Sequence, residues 1–276
     1  MKILLSFVCA VSLFPSLAFS QHHLTRLWST DSSLKVPESV LIDPATHLLY
    51  VSNIDGKPDE KDGKGSIGKL NAQGRILSVD WVSGLQAPKG MGLYQNRLYV
   101  ADVDAVVIID VKKAAIIKRV PVKGAVFLND VTIDPDGVVF VSDSRAGKVY
   151  KMENGTVSLY LDKLKNPNGL LAVNHDLYML DSGVLYKVLR NKTFSKIAEG
   201  MEPDTDGLVH ISRNEFIASC WGGSVYYIKN DGSKEKLLDT RGLKINTADI
   251  QYDGDRQVLY VPTFAKNSVV AYKVSL

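Results

Sequence analysis

The sequence predicts an all-β protein, a six-bladed β-propeller, on three observations. One motif recurs six times, each copy alternates apolar and polar residues as strands do, and Asn, Asp and Gly turn signals punctuate the copies. The copies read ESVLIDPATHLLYVSN from Glu38, KGMGLYQNRLYVAD from Lys89 and NDVTIDPDGVVFVSD from Asn129. The remaining three read NGLLAVNHDLYMLDS from Asn168, DGLVHISRNEFIASCW from Asp206 and ADIQYDGDRQVLYVP from Ala248. Steps between successive starts are 51, 40, 39, 38 and 42 residues, the length of a four-stranded blade.

Residues 1–20 are expected to be a signal peptide outside this fold. Lys2 supplies a positive start, Ile3 to Leu17 an apolar stretch, and Ala18-Phe19-Ser20 a small-x-small cleavage pattern. The expectation is an exported, periplasmic or secreted product with no membrane anchor after cleavage. A single domain over 21–276 then remains, because no linker or composition shift interrupts the repeats. The whole chain carries a formal charge of +3 and has 8% aromatic residues that do not cluster with the basic ones. Neither feature supports nucleic-acid binding or an anionic membrane surface. Cys220 is the one cysteine beyond the leader, so no intramolecular disulfide can form there, and its strand IASCW suits a small buried residue.

The elements follow in order. A strand near Leu24 to Trp28 precedes the first copy, and another, Val269 to Val274, follows the last. An open sheet edge invites aggregation, so these two are expected to share a blade and close the ring. The first copy carries an insertion over 53–65, charged and Gly-rich, with acids at Asp55, Asp59 and Asp62. Its spacing is not that of an EF-hand, and it reads as a solvated loop or as cover for one mouth of the ring. Val106 to Ile109 and Val138 to Val141 are β-branched strand runs. Asp136-Gly137, Asn154-Gly155, Asp231-Gly232 and Asp253-Gly254 mark hairpins. In the sixth copy either Ala248 or Asp249 takes the position that polar residues hold elsewhere. His22-His23 is expected to be a frayed tail.

Glu38, Lys89, Asn129, Asn168 and Asp206 occupy one repeat position, and equivalent positions of a ring converge on its axis. Two carboxylates and two amides offer hard oxygen donors and no thiolate, a set suited to Ca²⁺ or Mg²⁺ and, less so, Mn²⁺. Two acids forced together without a cation repel, and one tends to protonate. Lys89 has three readings: pairing with Glu38, binding an anionic substrate, or stabilising a developing oxyanion. No nucleophile elbow, phosphate loop or dinucleotide fingerprint is present.

With Glu38-Ser39, Asn129-Asp130, Asn168-Gly169-Leu170, Asp206-Gly207 and Cys220-Trp221-Gly222-Gly223 in place, the chain resembles the senescence marker protein (regucalcin) and gluconolactonase family over essentially 21–276. That resemblance implies one divalent metal, Ca²⁺ first with Zn²⁺, Mn²⁺ or Mg²⁺ as alternatives, on Glu38, Asn168 and Asp206. It implies Asn129 as a substrate contact and Asp206 as general base; Lys89 joins Asn129 as a candidate substrate contact on its position alone. The implied activity is hydrolysis of a lactone or related sugar-acid derivative in the central tunnel. Two positions depart from the family: Ser39-Val40 replace a Pro or Gly-Pro after the Glu, and Phe127-Leu128 precede Asn129 where an arginine is usual. The alternative is a non-catalytic ligand- or protein-binding propeller of the NHL or YVTN type.

Overall fold

The computed structural model describes residues 22–276; the expected signal peptide lies outside the described residues. Strand β1 (His23–Ser29) opens the chain and belongs to the last blade. Blade one is β2 (Pro37–Ile42), β3 (Leu49–Asn53), β4 (Gly65–Leu70) and β5 (Ile76–Leu85). Blade two is β6 (Pro88–Tyr94), β7 (Arg97–Asp102), β8 (Ala105–Asp110) and β9 (Ala115–Pro121). Blade three is β10 (Leu128–Ile133), β11 (Val139–Asp143), β12 (Lys148–Glu153) and β13 (Thr156–Leu161). Blade four is β14 (Pro167–Val173), β15 (Asp176–Asp181), β16 (Val184–Val188) and β17 (Phe194–Ala198). Blade five is β18 (Thr205–Ser212), β19 (Glu215–Cys220), β20 (Ser224–Ile228) and β21 (Lys234–Asp239). Blade six is β22 (Gln251–Asp253), β23 (Val258–Pro262) and β24 (Val269–Ser275), with β1 on its outer edge.

All pairings within blades are antiparallel, and the first strands contact one another in the cycle β2, β6, β10, β14, β18, β22 and back to β2. The ring is a six-bladed β-propeller, as the repeats predict. Closure also follows the expectation: β1 pairs with β24 from His23 opposite Ser275 to Ser29 opposite Val270. The tail itself differs from expectation. His22 stacks on Tyr227 at 4.0 Å and its Nδ1 lies 2.7 Å from Glu235, so blade five holds it in place.

Stability comes from the blade interfaces. Successive side chains of a strand point to opposite faces, so one middle strand feeds two interfaces. In β19, Phe216 and Ala218 pack towards blade four with Tyr178 and Leu180, while Ile217 packs towards blade six with Leu259 and Val261. Equivalent clusters fill the other four seams. Both faces of each sheet are thereby dry, which is why strands such as FIASC carry almost no charge. Each fully buried Leu, Ile or Phe contributes about 1.5–3 kcal/mol.

Turn chemistry follows the sequence signals. Asn154 and Gly155 both take positive φ, 50° and 77°, in the two-residue link from β12 to β13. In blades two, three and four a buried aspartate at the end of the second strand shapes the segment leading into the first strand. Asp102 accepts from the Gln86 and Ala87 amides, Asp143 from Val126 and Phe127, and Asp181 from Lys165 and Asn166.

Candidate functional site

The axial side chains are aimed by a repeated β-bulge. Between Leu128 and Val131 the inner strand advances three residues while its partner advances two, from Asp143 to Val141. The same offset occurs at Pro88/Met91, Pro167/Leu170 and Thr205/Leu208. A bulge re-aims side chains, and here it sends two consecutive residues to the tunnel at different depths. Ser52, Ser142 and Ser219 accept the amides freed in blades one, three and five.

Upper-layer residues Glu38, Lys89, Asn129, Asn168 and Asp206 all line one cavity of about 300 Å³. The five positions singled out from the repeat therefore meet. Ile54, Pro58, Phe127, Trp221 and Phe264 form its apolar walls, and Ser144, Arg145 and Asn166 its polar rim. The lower layer is Ser39, Gly90, Asp130, Gly169, Gly207 and Asp249, three polar residues and three glycines. Close approach demands those glycines: a methyl group on Gly90 would lie 2.5 Å from Asp130 Cα, and one on Gly207 would lie 2.6 Å from Asp249 Oδ1. Asp130 and Asp249 line a second cavity, of about 310 Å³, on the other side of the ring.

This resolves the sixth copy. Ala248 is fully buried at the upper level, while Asp249 sits in the lower layer, where Ser39 Oγ donates to its Oδ2 at 2.5 Å. The Asp249 amide donates to Glu38 O at 3.0 Å, stitching blade six to blade one.

Hydrogen bonds hold three of the four oxygen-bearing upper residues. Asn168 Nδ2 donates to Asp206 Oδ1 at 2.9 Å, and Asn129 Nδ2 to Ser144 Oγ at 2.9 Å. Ser144 Oγ in turn donates to Pro167 O at 2.7 Å. Neither amide oxygen has a protein partner among the described residues. Glu38 is 5% exposed, and its Oε2 is buried without any hydrogen-bond partner. Such an orphan carboxylate oxygen is costly unless something positive or protic meets it.

The electrostatics state the same conflict. Burial first, then repulsion from Asp206 and Asp249, pushes the Glu38 carboxyl well above its usual range, against an opposing pull from Lys89. Burial and Asp249 raise Asp206, with the Asn168 hydrogen bond opposing. Burial and Asp249 also raise Asp130, despite amide bonds from Leu170 and Val131. Lys89 is 1% exposed, donates to Ala87 O at 2.9 Å, and is lowered to about 8 chiefly by burial. It faces the cavity but forms no ion pair with Glu38. The Cys220 thiol, fully buried and pushed upwards by burial, is inert as the sequence reading expects.

An all-oxygen donor set with an orphan acid oxygen, free amide oxygens and crowded carboxylates fits a hard divalent cation. Glu38, Asn168 and Asp206, the residues that the family resemblance assigns to a metal, all line this cavity. A separate group, Asp134, Asp136 and His175, places ligand atoms within 4.8 Å of one another. It lies on the turns after β10 and β14, at the far end of the inner strands, and has no part in the cavity.

Sequence reasoning missed three features of the site. Asp130 lies on the axis because the bulge turns a second residue inward. Arg145 reaches Phe127 from the β11–β12 turn, with its guanidinium carbon 4.2 Å from the ring centroid. Trp221 and Phe264 meet edge-on at 5.4 Å on the rim. Loop 54–64 covers one side of the mouth, with Pro58 in the wall, Asp59 on Arg145 at 2.7 Å and Lys61 on Asp104 at 2.5 Å. Both readings of that loop hold: residues 59–64 are solvent-exposed, and Pro58 forms part of the cavity wall.

No family model and no curated protein matches the chain. Among solved structures it resembles a candidate gluconolactonase at 16% identity and TM-score 0.66, covering 95% of this chain and 94% of that one. It also resembles a streptogramin B lyase at 11% identity and TM-score 0.66, over 92% of this chain and 98% of the other. A catalytically inactive virginiamycin B lyase from Staphylococcus aureus, a His-to-Ala variant with quinupristin, matches at 12% identity and TM-score 0.64, over 92% and 99%. At these identities the likeness defines the class of protein, a six-bladed β-propeller, and nothing finer.

Proposed function

We propose that the protein is an exported, divalent-metal-dependent hydrolase of the sugar-lactone type, acting on a small molecule in the upper cavity. One observation carries the reading: Glu38 Oε2 is buried and unpartnered within an oxygen-only set that includes Asn168 and Asp206. When bound there, a cation such as Ca²⁺ acts as a Lewis acid towards a carbonyl oxygen.

The chain's own groups supply the rest. Asp206, fixed through Oδ1 by Asn168, keeps Oδ2 to accept a proton from an attacking water. Asn129, anchored on Ser144, presents its amide oxygen to a substrate hydroxyl. Lys89, in a site with little water, offers an ammonium to the negative charge that develops on the carbonyl oxygen. Phe127, Trp221 and Phe264 give the ring of a sugar lactone apolar surface and keep the polar floor dry. Covering loop 54–64 limits entry to compact substrates.

Both gluconolactonase-like and lyase neighbours share the fold, so the site must choose between them. The lyase variant described as catalytically inactive has lost a histidine, and no histidine lines this cavity. That favours the lactonase reading. The test is hydrolysis of an aldonolactone panel by EDTA-treated protein resupplied with Ca²⁺, Zn²⁺, Mn²⁺ or Mg²⁺, alongside Asp206→Ala. Metal-dependent turnover lost in the variant is expected; turnover equal in the variant contradicts the reading. Metal binding without turnover of any lactone points instead to a non-catalytic propeller of the NHL or YVTN type.

A further inference from the structure

The cavity is acidic on its axis and cationic on one wall. Lys89 Nζ lies 4.4 Å and the Arg145 guanidinium carbon 4.2 Å from the centroid of the same Phe127 ring. Such contacts hold a cation in place without neutralising it. The arrangement is built rather than incidental. Buried Asp143 accepts the Val126 and Phe127 amides on one side and the Ala146 amide on the other, which locks the ring and the Arg145 turn together.

Arg145 has five N–H donors, and among the described residues its side chain makes one hydrogen bond, from Nη1 to Asp59 Oδ2 at 2.7 Å. Its side chain is 50% exposed and that of Asp59 is 44% exposed, so this is a surface ion pair that contributes little. Asp59 stands on loop 54–64, whose neighbour Pro58 forms part of the cavity wall. A carboxylate delivered by the protein's own cover therefore occupies the guanidinium at the mouth. A carboxylate on a ligand, bound in the forked two-bond geometry and partly shielded from water, makes the stronger pair and displaces it.

We propose that Arg145, stacked on Phe127, is a carboxylate-recognition residue, that Asp59 is the group it holds between substrates, and that the preferred lactones carry a second acidic group, as lactones of aldaric acids do. The substrate class rests on the lactonase reading above; the anion subsite does not. The pair forms at a solvent-exposed mouth, so high salt weakens the preference.

The experiment compares D-glucaro-1,4-lactone with D-glucono-1,4-lactone, which differ in a terminal carboxylate against a CH₂OH group. Calorimetric binding of D-glucarate and D-gluconate to the metal-loaded protein runs in parallel as a readout independent of turnover. The expected kcat/KM ratio favours the acidic lactone by about tenfold, about 1.4 kcal/mol. Arg145→Ala brings the ratio near one, Arg145→Lys restores part of it, and Asp59→Ala tightens glucarate binding severalfold. A ratio near one in the unmodified protein, with glucarate binding no tighter than gluconate, overturns the subsite and leaves the lactonase reading standing. Arg145-dependent glucarate binding without turnover of either lactone supports the subsite and overturns the lactonase reading. A preference that survives Arg145→Ala also overturns the assignment.

Discussion

Asn168 Nδ2 donates to Asp206 Oδ1 at 2.9 Å across the seam between blades four and five. This bond is the one hydrogen bond holding the Asp206 carboxyl down against burial and Asp249. Asn168→Ala removes it together with a donor oxygen of the cation site. Calcium affinity is expected to fall at least tenfold, about 1.4 kcal/mol, with lactone turnover falling in step. Calorimetric titration checks this, and unchanged affinity counts against Asn168 as a ligand.

Lys89 places a buried ammonium beside the proposed cation site and close enough to pull on Glu38. Lys89→Met keeps the volume and removes the like charge. Cation binding should tighten by about tenfold while kcat drops, because the developing oxyanion loses its ammonium. Opposite movement of the two quantities is the signature; parallel loss of both means that Lys89 is structural.

The lower layer predicts a stability effect at Gly90, next to Lys89 in sequence and outside the proposed metal-ligand set. A methyl group on Gly90 would press on the Asp130 backbone, and backbone yields little. Gly90→Ala should destabilise by about 2–4 kcal/mol, which for a domain of this size is roughly 5–15 °C in Tm. A thermal melt within a degree of the unmodified protein means the strands are not so tightly apposed.

The acids set a pH dependence with a definite sign. Burial, followed by mutual repulsion, raises Glu38, Asp130 and Asp206, so the folded protein binds these protons more tightly than the unfolded chain. Their stabilising contribution is full below about pH 4 and is lost as pH rises through the raised folded values. Glu202 has the opposite sign: burial is outweighed by hydrogen bonds from Tyr226 and Lys236, and its value of about 2 confines its effect to lower pH. EDTA-treated protein should therefore lose about 5 °C or more of Tm between pH 5 and pH 8. Calcium should abolish most of that loss, because a cation removes the repulsion that drives it. Equal pH slopes with and without calcium would contradict the account.

How far the sequence foretold this follows from the bulge. Six copies with period-2 alternation fix the ring, and matching repeat positions bring Glu38, Lys89, Asn129, Asn168 and Asp206 into one cavity. Alternation alone sends the next residue away from the tunnel, so Asp130 was not legible as an axial acid. In the sixth copy, β22 starts late, at Gln251, and Asp249 drops to the lower layer, which is why two alignments competed there. Arg145 was hidden for another reason. It stands two residues beyond Asp143 on a turn, and only the shared hydrogen bonds of Asp143 bring it over Phe127. Insertion 54–64 announced itself by length and charge, whereas its partners Arg145 and Asp104 lie on other blades.

The central claim is that the hub of the ring holds a divalent cation on Glu38, Asn168 and Asp206. Its most direct test is a calorimetric titration of the EDTA-stripped protein with CaCl₂, run beside Glu38→Gln. One saturable ion per chain, weakened at least tenfold in the variant, is the predicted result. No saturable binding of Ca²⁺, Mg²⁺, Mn²⁺ or Zn²⁺, or binding that Glu38→Gln leaves intact, contradicts it.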